Sequence, residues 1–181
     1  MFRKDCYGQH GAFLGKASDG KQVFDKLNIA GSTHYQSHIN KHDLIFIDFS
    51  RLPERHASYD SYISRITEGL KNDLLHEFSS LALDSRQPLW DMMDEIFQRT
   101  NQRFVFVMDE WDAVFHMPFI SQKEQYLLFL KNLLKNQVYV ELAYMTGILP
   151  IAKYSGGSEL NMFSEYNMAT QEKFSGYFGF S

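Results

Sequence analysis

RFVFVMDEWD, residues 103–112, decides how the rest of the chain is read. Phe104–Met108 are apolar without a break, and two acids, Asp109 and Glu110, follow at once. A strand with one face in water alternates apolar and polar residues, whereas one covered on both faces need not. The run therefore predicts a buried strand with acids at its C-terminal end.

Upstream, HDLIFIDFSRLP has the same signature, with Leu44–Phe49 nearly all apolar before Ser50 and Pro53, and predicts a strand over residues 43 to 49. Downstream, ELAYMTGI predicts a third, beginning near Glu141. Between the first two, Tyr59, Tyr62, Ile63, Ile66, Leu70, Leu74 and Phe78 recur at three- and four-residue steps, the spacing of one helical stripe. Pro88 opens a second helical segment with Leu89, Trp90, Met93, Ile96 and Phe97 inward. Before the third strand, Ser121 and Glu124 have capping-box spacing, and Tyr126, Leu127, Leu130, Leu133 and Leu134 form a stripe behind them. Strands separated by long helices cannot pair as hairpins, so the pattern implies crossovers and a parallel sheet with flanking helices. The expected fold is a three-layer α/β domain with its core over residues 43–152. An irregular segment with a short helix around Val23, Phe24, Leu27 and Ile29 precedes it over residues 1–42. A C-terminal subdomain starts over residues 153–181.

A net charge of −4 supplies no general positive field for nucleic acid or an anionic membrane. The single cysteine, Cys6, forms no intrachain disulfide and suits a reducing compartment. The start lacks a signal-peptide core and no stretch reaches the roughly eighteen apolar residues of a membrane span, so a cytoplasmic setting is expected.

Ligands of open parallel sheets gather at the carboxyl ends of the strands, where Asp48, Asp109, Glu110 and Thr146 fall. An apolar strand closing on Asp-Glu is the arrangement that holds Mg²⁺ through the first acid and orients or deprotonates a water through the second. On this reading Asp109 is the metal ligand and Glu110 the catalytic base; the alternative is two solvated acids that end a strand. Thr146 could hydrogen-bond a γ-phosphate or the water, with Gly147 admitting close backbone approach, or the pair could form a plain turn. Lys153 and Arg51 have a phosphate-facing and a solvated reading. His34, His38 and His42 recur at four-residue steps, as metal ligands on one helical face would, but no carboxylate or cysteine stands nearby at ligand spacing, so a structural zinc site is not the expectation. Tyr177, Phe178 and Phe180 are read as packing residues, with base stacking as the alternative.

FVFVMDEWDAVF, then AYMTGILPIAKYSGGSELNMFSEYNM, then YFGFS, in this order and spacing, resemble the AAA-ATPase-like family of predicted bacterial P-loop NTPases. The resemblance implies that the acidic strand is a Walker B motif and that the strand ending at Thr146 is a sensor strand. ATP and Mg²⁺ would be the cofactors. Asp109 would bind the metal and, with Thr146, the nucleotide cofactor, while Glu110 and Thr146 would be the catalytic residues, Thr146 in a sensing role. Many such proteins carry a restriction-endonuclease-like domain, which here would follow Ser181. Their first strand and G-x-x-x-x-G-K-[ST] loop have no counterpart in this sequence. The nearest string, Gly11-Ala-Phe-Leu-Gly15-Lys16-Ala17, is one residue short between its glycines and has alanine at the hydroxyl position. The expectation is a domain truncated before that strand, with a weak or absent grip on nucleotide, and an unpaired edge and uncovered apolar face that invite self-association. A non-catalytic interaction module of the same fold is the alternative.

Overall fold

The computed structural model describes residues 9–51, 58–117, 120–151 and 160–166. The expectations for Cys6, Lys153, Tyr177, Phe178 and Phe180 lie outside them.

The three apolar runs form strands β1 (Asp43–Asp48), β2 (Phe104–Asp109) and β3 (Val140–Met145). They pair in parallel in the order β1-β2-β3, with Asp48 beside Asp109 and Met108 beside Met145. The register slips between Phe104 and Val105, so Glu141 is left without a partner on β2 as a bulge.

Three long helices supply the cover: α4 (Tyr59–Glu77), α5 (Leu89–Thr100) and α6 (Lys123–Leu134). Ser58 caps α4 by accepting the N–H of Ser61 at 3.2 Å. On α4 the predicted stripe buries Tyr59, Tyr62, Leu70 and Leu74, with Ile63, Ile66 and Phe78 packed beside them. On α5, Met92 takes the fully buried place expected of Trp90, which lies at the margin. The expected capping box at Ser121 and Glu124 does not form. Residues Ile120–Gln122 make a 3₁₀ turn, Gln122 is the cap residue, and Ser121 Oγ donates to Gln122 Oε1.

Residues of alternating parity on the strands sort the core in two. Ile45, Ile47, Phe104, Phe106 and Met108 join the large cluster with α4, α5 and α6. Leu44, Val105 and Val107 face the other way, where Leu14 and Phe46 pack against them. Leu14 ends the short helix α1 (Gln9–Leu14). Among the described residues the second helical layer is therefore thin. Leu142 and Tyr144, on the same face of the edge strand β3, are 52% and 40% exposed.

The short helix expected near Val23 is α2 (Lys21–Phe24), but Val23, Leu27 and Ile29 point outward, and Tyr35 and Ile39 supply the buried contacts of this segment instead. Tyr35 belongs to α3 (Tyr35–His38). Asn40, Asn101 and Asn136, each between a helix and the next strand, have positive φ of 50°, 57° and 58°. This left-handed region is one that asparagine tolerates better than most side chains. Asn40 also donates through Nδ2 to the carbonyls of Ala12 and Gly15, both at 3.0 Å, which ties α1 to the start of β1.

Candidate functional site at the carboxyl ends of the strands

Because β2 and β3 are parallel and in register at their ends, Asp109 and Thr146 arrive side by side. Thr146 Oγ1 donates to Asp109 Oδ1, and the backbone N–H of Glu110 donates to the same oxygen at 3.1 Å. Asp109 Oδ2 has no hydrogen-bond partner among the described residues. The chain then turns sharply at Glu110, whose φ of 53° is left-handed, an arrangement costing a non-glycine residue about 1 kcal/mol or more. The turn leaves the Glu110 side chain exposed beside Asp109.

The turn after β2 and the loop after β3 are laced together. Thr146 N–H donates to Met108 O at 2.9 Å, and Trp111 N–H donates to Thr146 O at 3.0 Å. Asp112, 2% exposed, accepts the N–H groups of Ile148 at 3.0 Å and Leu149 at 2.8 Å on Oδ2. A Cβ on Gly147 would stand 2.5 Å from Asp112 Oδ1 and from the Trp111 ring. Glycine does allow a close approach here, but the approach is to Asp112 and Trp111.

Two buried tyrosines brace this end of the sheet from below. Tyr62 of α4 donates to Phe49 O at 2.7 Å and Tyr126 of α6 to Trp111 O at 2.6 Å. Burial pushes both phenols above the ordinary tyrosine value, so they remain donors.

The other expected residues fare differently. Asp48 is engaged locally: Oδ1 accepts from the Ser50 N–H at 3.0 Å and Oγ at 2.6 Å, and Oδ2 from Arg51 Nε at 2.9 Å. Arg51 is correspondingly drawn to Asp48. A groove of about 490 Å³ along β1 and α4 is lined by Asp48, Arg51, Arg65 and Asp73 among others, but not by Asp109, Glu110 or Thr146. The string Gly11–Ala17 runs through α1, and Lys16 pairs with Asp43, the first residue of β1. Six residues of strand, roughly 17–20 Å, separate that end from the acids. His38 Nδ1 and His42 Nε2 lie 3.0 Å apart with ring centroids at 5.2 Å and an 18° interplanar angle. The rings therefore meet nearly head-on, as in a hydrogen bond, and their lone pairs do not converge on a third point. His42 Nδ1 faces Glu141 Oε1 at 3.0 Å across the sheet. No group of three or more His, Cys, Asp or Glu suited to a metal occurs among the described residues.

Asp109 thus offers one uncommitted carboxylate oxygen. Mg²⁺ takes oxygen ligands, often one or two carboxylates completed by water and substrate phosphates. The donor set fits Mg²⁺ carried on a polyphosphate and does not fit Mg²⁺ held by protein alone.

The model of a family described as a predicted AAA-ATPase matches residues 10–155. The chain belongs to this AAA-ATPase-like family. No curated protein and no solved structure matches it. The AAA-ATPase-like domain has no helix among its described residues long and apolar enough to cross a membrane. Sequence reasoning missed Asp112, although an acid three residues after Asp109 and two after Glu110 was there to be noticed.

Proposed function

We propose that this chain carries the metal-and-base half of an ATP-hydrolysing site, and that its chemistry depends on a phosphate-binding loop that Gly11–Ala17 does not supply. The observation that carries the reading is the Asp109–Thr146 contact at the ends of adjacent parallel strands, with Glu110 turned outward next to it. Mg²⁺ bound with ATP would neutralise charge on the phosphates. Asp109 would hold it through Oδ2. Glu110 would accept a hydrogen bond from the attacking water, and its proton, at a carboxylate oxygen. Thr146 would signal the state of the γ-phosphate by exchanging its bond to Asp109 for one to the nucleotide. The position of Lys16, paired with Asp43 at the opposite end of the sheet, supports the view that Gly11–Ala17 does not cradle phosphate.

The test compares this chain with a version extended at its N-terminus by an apolar strand and a G-x-x-x-x-G-K-[ST] loop. Mg²⁺-ATP binding is expected only in the extended form. In that form Glu110→Gln keeps binding and loses roughly 10²–10⁴ in turnover, the usual contribution of a general base. Full turnover by Glu110→Gln removes Glu110 from the mechanism.

A second reading, a non-catalytic interaction module, is favoured by the exposure of Leu142 and Tyr144 on the thinly covered face of β3. Self-association through that face would appear as a concentration-dependent mass in sedimentation.

A further inference from the structure

Asp112 has no part in the chemistry just described, yet its carboxylate is buried. A charged group enters an interior only where hydrogen bonds replace water. Here one oxygen takes two: Oδ2 accepts the backbone N–H groups of Ile148 and Leu149. The Ile148 side chain is 85% exposed and does not anchor its own residue, while Leu149 packs against the core, and the backbone of both is tied inward by Asp112. Oδ1 has no partner among the described residues and lies over Gly147, the position where a Cβ would collide with it. The preceding residue, Trp111, holds Thr146 through the Trp111 N–H to Thr146 O bond. Residues 111 and 112 therefore grip residues 146, 148 and 149, and they belong to the same turn that presents Glu110. A carboxylate is suited to the task, since charge-assisted bonds to backbone N–H are stronger than neutral ones.

We propose that Asp112 is a positioning residue: its grip on Ile148 and Leu149 holds the Thr146 hydroxyl on Asp109 and fixes Thr146 relative to Glu110. The importance of that separation for nucleotide chemistry rests on the reading of Asp109, Glu110 and Thr146 given above. The grip itself does not.

The experiment is NMR on the full chain without nucleotide, reading amide exchange at Ile148 and Leu149 and the χ1 scalar couplings of Thr146. In the wild type both amides exchange about tenfold or more slowly than an open loop would, and Thr146 occupies one rotamer. Asp112→Ala removes the protection and averages the Thr146 couplings. Asp112→Asn retains an acceptor oxygen and restores both. Gly147→Ala drives a Cβ onto Oδ1 and the Trp111 ring, displacing the carboxylate without removing it, and produces the same losses as Asp112→Ala, so the idea remains testable should Asp112→Ala fail to fold. Leu74→Ala, a core change remote from the loop, lowers stability without averaging Thr146. Open-loop exchange at Ile148 and Leu149 in the wild type overturns the proposal. So does an unchanged Thr146 rotamer in Gly147→Ala and Asp112→Ala, or averaging in Leu74→Ala equal to theirs. A chain that passes this test while its extended form never hydrolyses ATP keeps Asp112 as the residue positioning Thr146 and loses only the nucleotide reading.

Discussion

Replacing Tyr126 with phenylalanine isolates one bond under the candidate site. The side chain is fully buried on α6, and its hydroxyl donates to the carbonyl of Trp111 at 2.6 Å. Removing it leaves that carbonyl without the bond in a place water does not reach, a loss of about 1–3 kcal/mol. Phenylalanine fits the same space, so no cavity penalty is added. With about 2 kcal/mol as the central value, and about 2–4 °C per kcal/mol for a chain of this size, Tm should fall by roughly 4–8 °C. Urea denaturation followed by far-UV circular dichroism gives the free energy directly, provided the slope m is unchanged. The bond also fixes the turn carrying Trp111, whose ring meets Phe115 edge-on at 5.4 Å, so the near-UV spectrum should change as well. Tyr139→Phe is the control: it removes a buried bond to Leu133 O at 2.9 Å, away from that turn, and should lower stability while leaving the Trp111 signature alone. A Tyr126→Phe protein within about 0.5 kcal/mol of wild type, with an unaltered near-UV spectrum, would falsify the claim that this hydroxyl braces the turn.

Alkaline pH should unfold the protein early. Burial raises the phenols of Tyr62, Tyr126 and Tyr139, and pushes Tyr59 up to about 12. The unfolded chain releases these protons near pH 10 and the folded chain does not, so stability is complete below about pH 10 and falls above it. Tyr→Phe at positions 62, 126 and 139 together should flatten that slope in a pH series of denaturation midpoints. At Asn101, where φ is 57°, Asn101→Ala should cost about 1 kcal/mol and Asn101→Gly much less, read from Tm; equal losses would remove the left-handed backbone as the cause.

The parts of the fold legible in the sequence were those with a repeating signal. Three apolar runs gave three strands, and the long helical gaps gave their parallel pairing, because both follow from local pattern and chain geometry. The stripe on α4 was legible because seven residues share its period. What escaped depended on neighbours distant in the chain. The Ser121–Glu124 spacing fits a capping box, but the chain enters α6 through a 3₁₀ turn. Val23, Leu27 and Ile29 are apolar yet exposed, since among the described residues little stands over them. At the site, the meeting of Asp109 with Thr146 could be anticipated from strand ends alone. The acid at Asp112 was visible but its role was not, because its partners are backbone N–H groups 36 and 37 residues away, which have no side-chain signature.

The three asparagines at positions 40, 101 and 136 bear on how the chain finds this arrangement. Each turns the chain through its own left-handed torsion angles, a few residues before a strand begins, and Asn40 adds side-chain bonds to α1. Each helix-to-strand unit can therefore take its bend early, from nearby residues, before any strand has met its neighbour. What is left for the slow phase of folding is docking of preformed units in the right order, the part that loop-closure entropy makes costly in a parallel sheet. A destabilised bend would then be felt mainly as slower refolding of its own unit, whereas damage at the Asp112 clasp, which joins two completed units, would be felt mainly as faster unfolding.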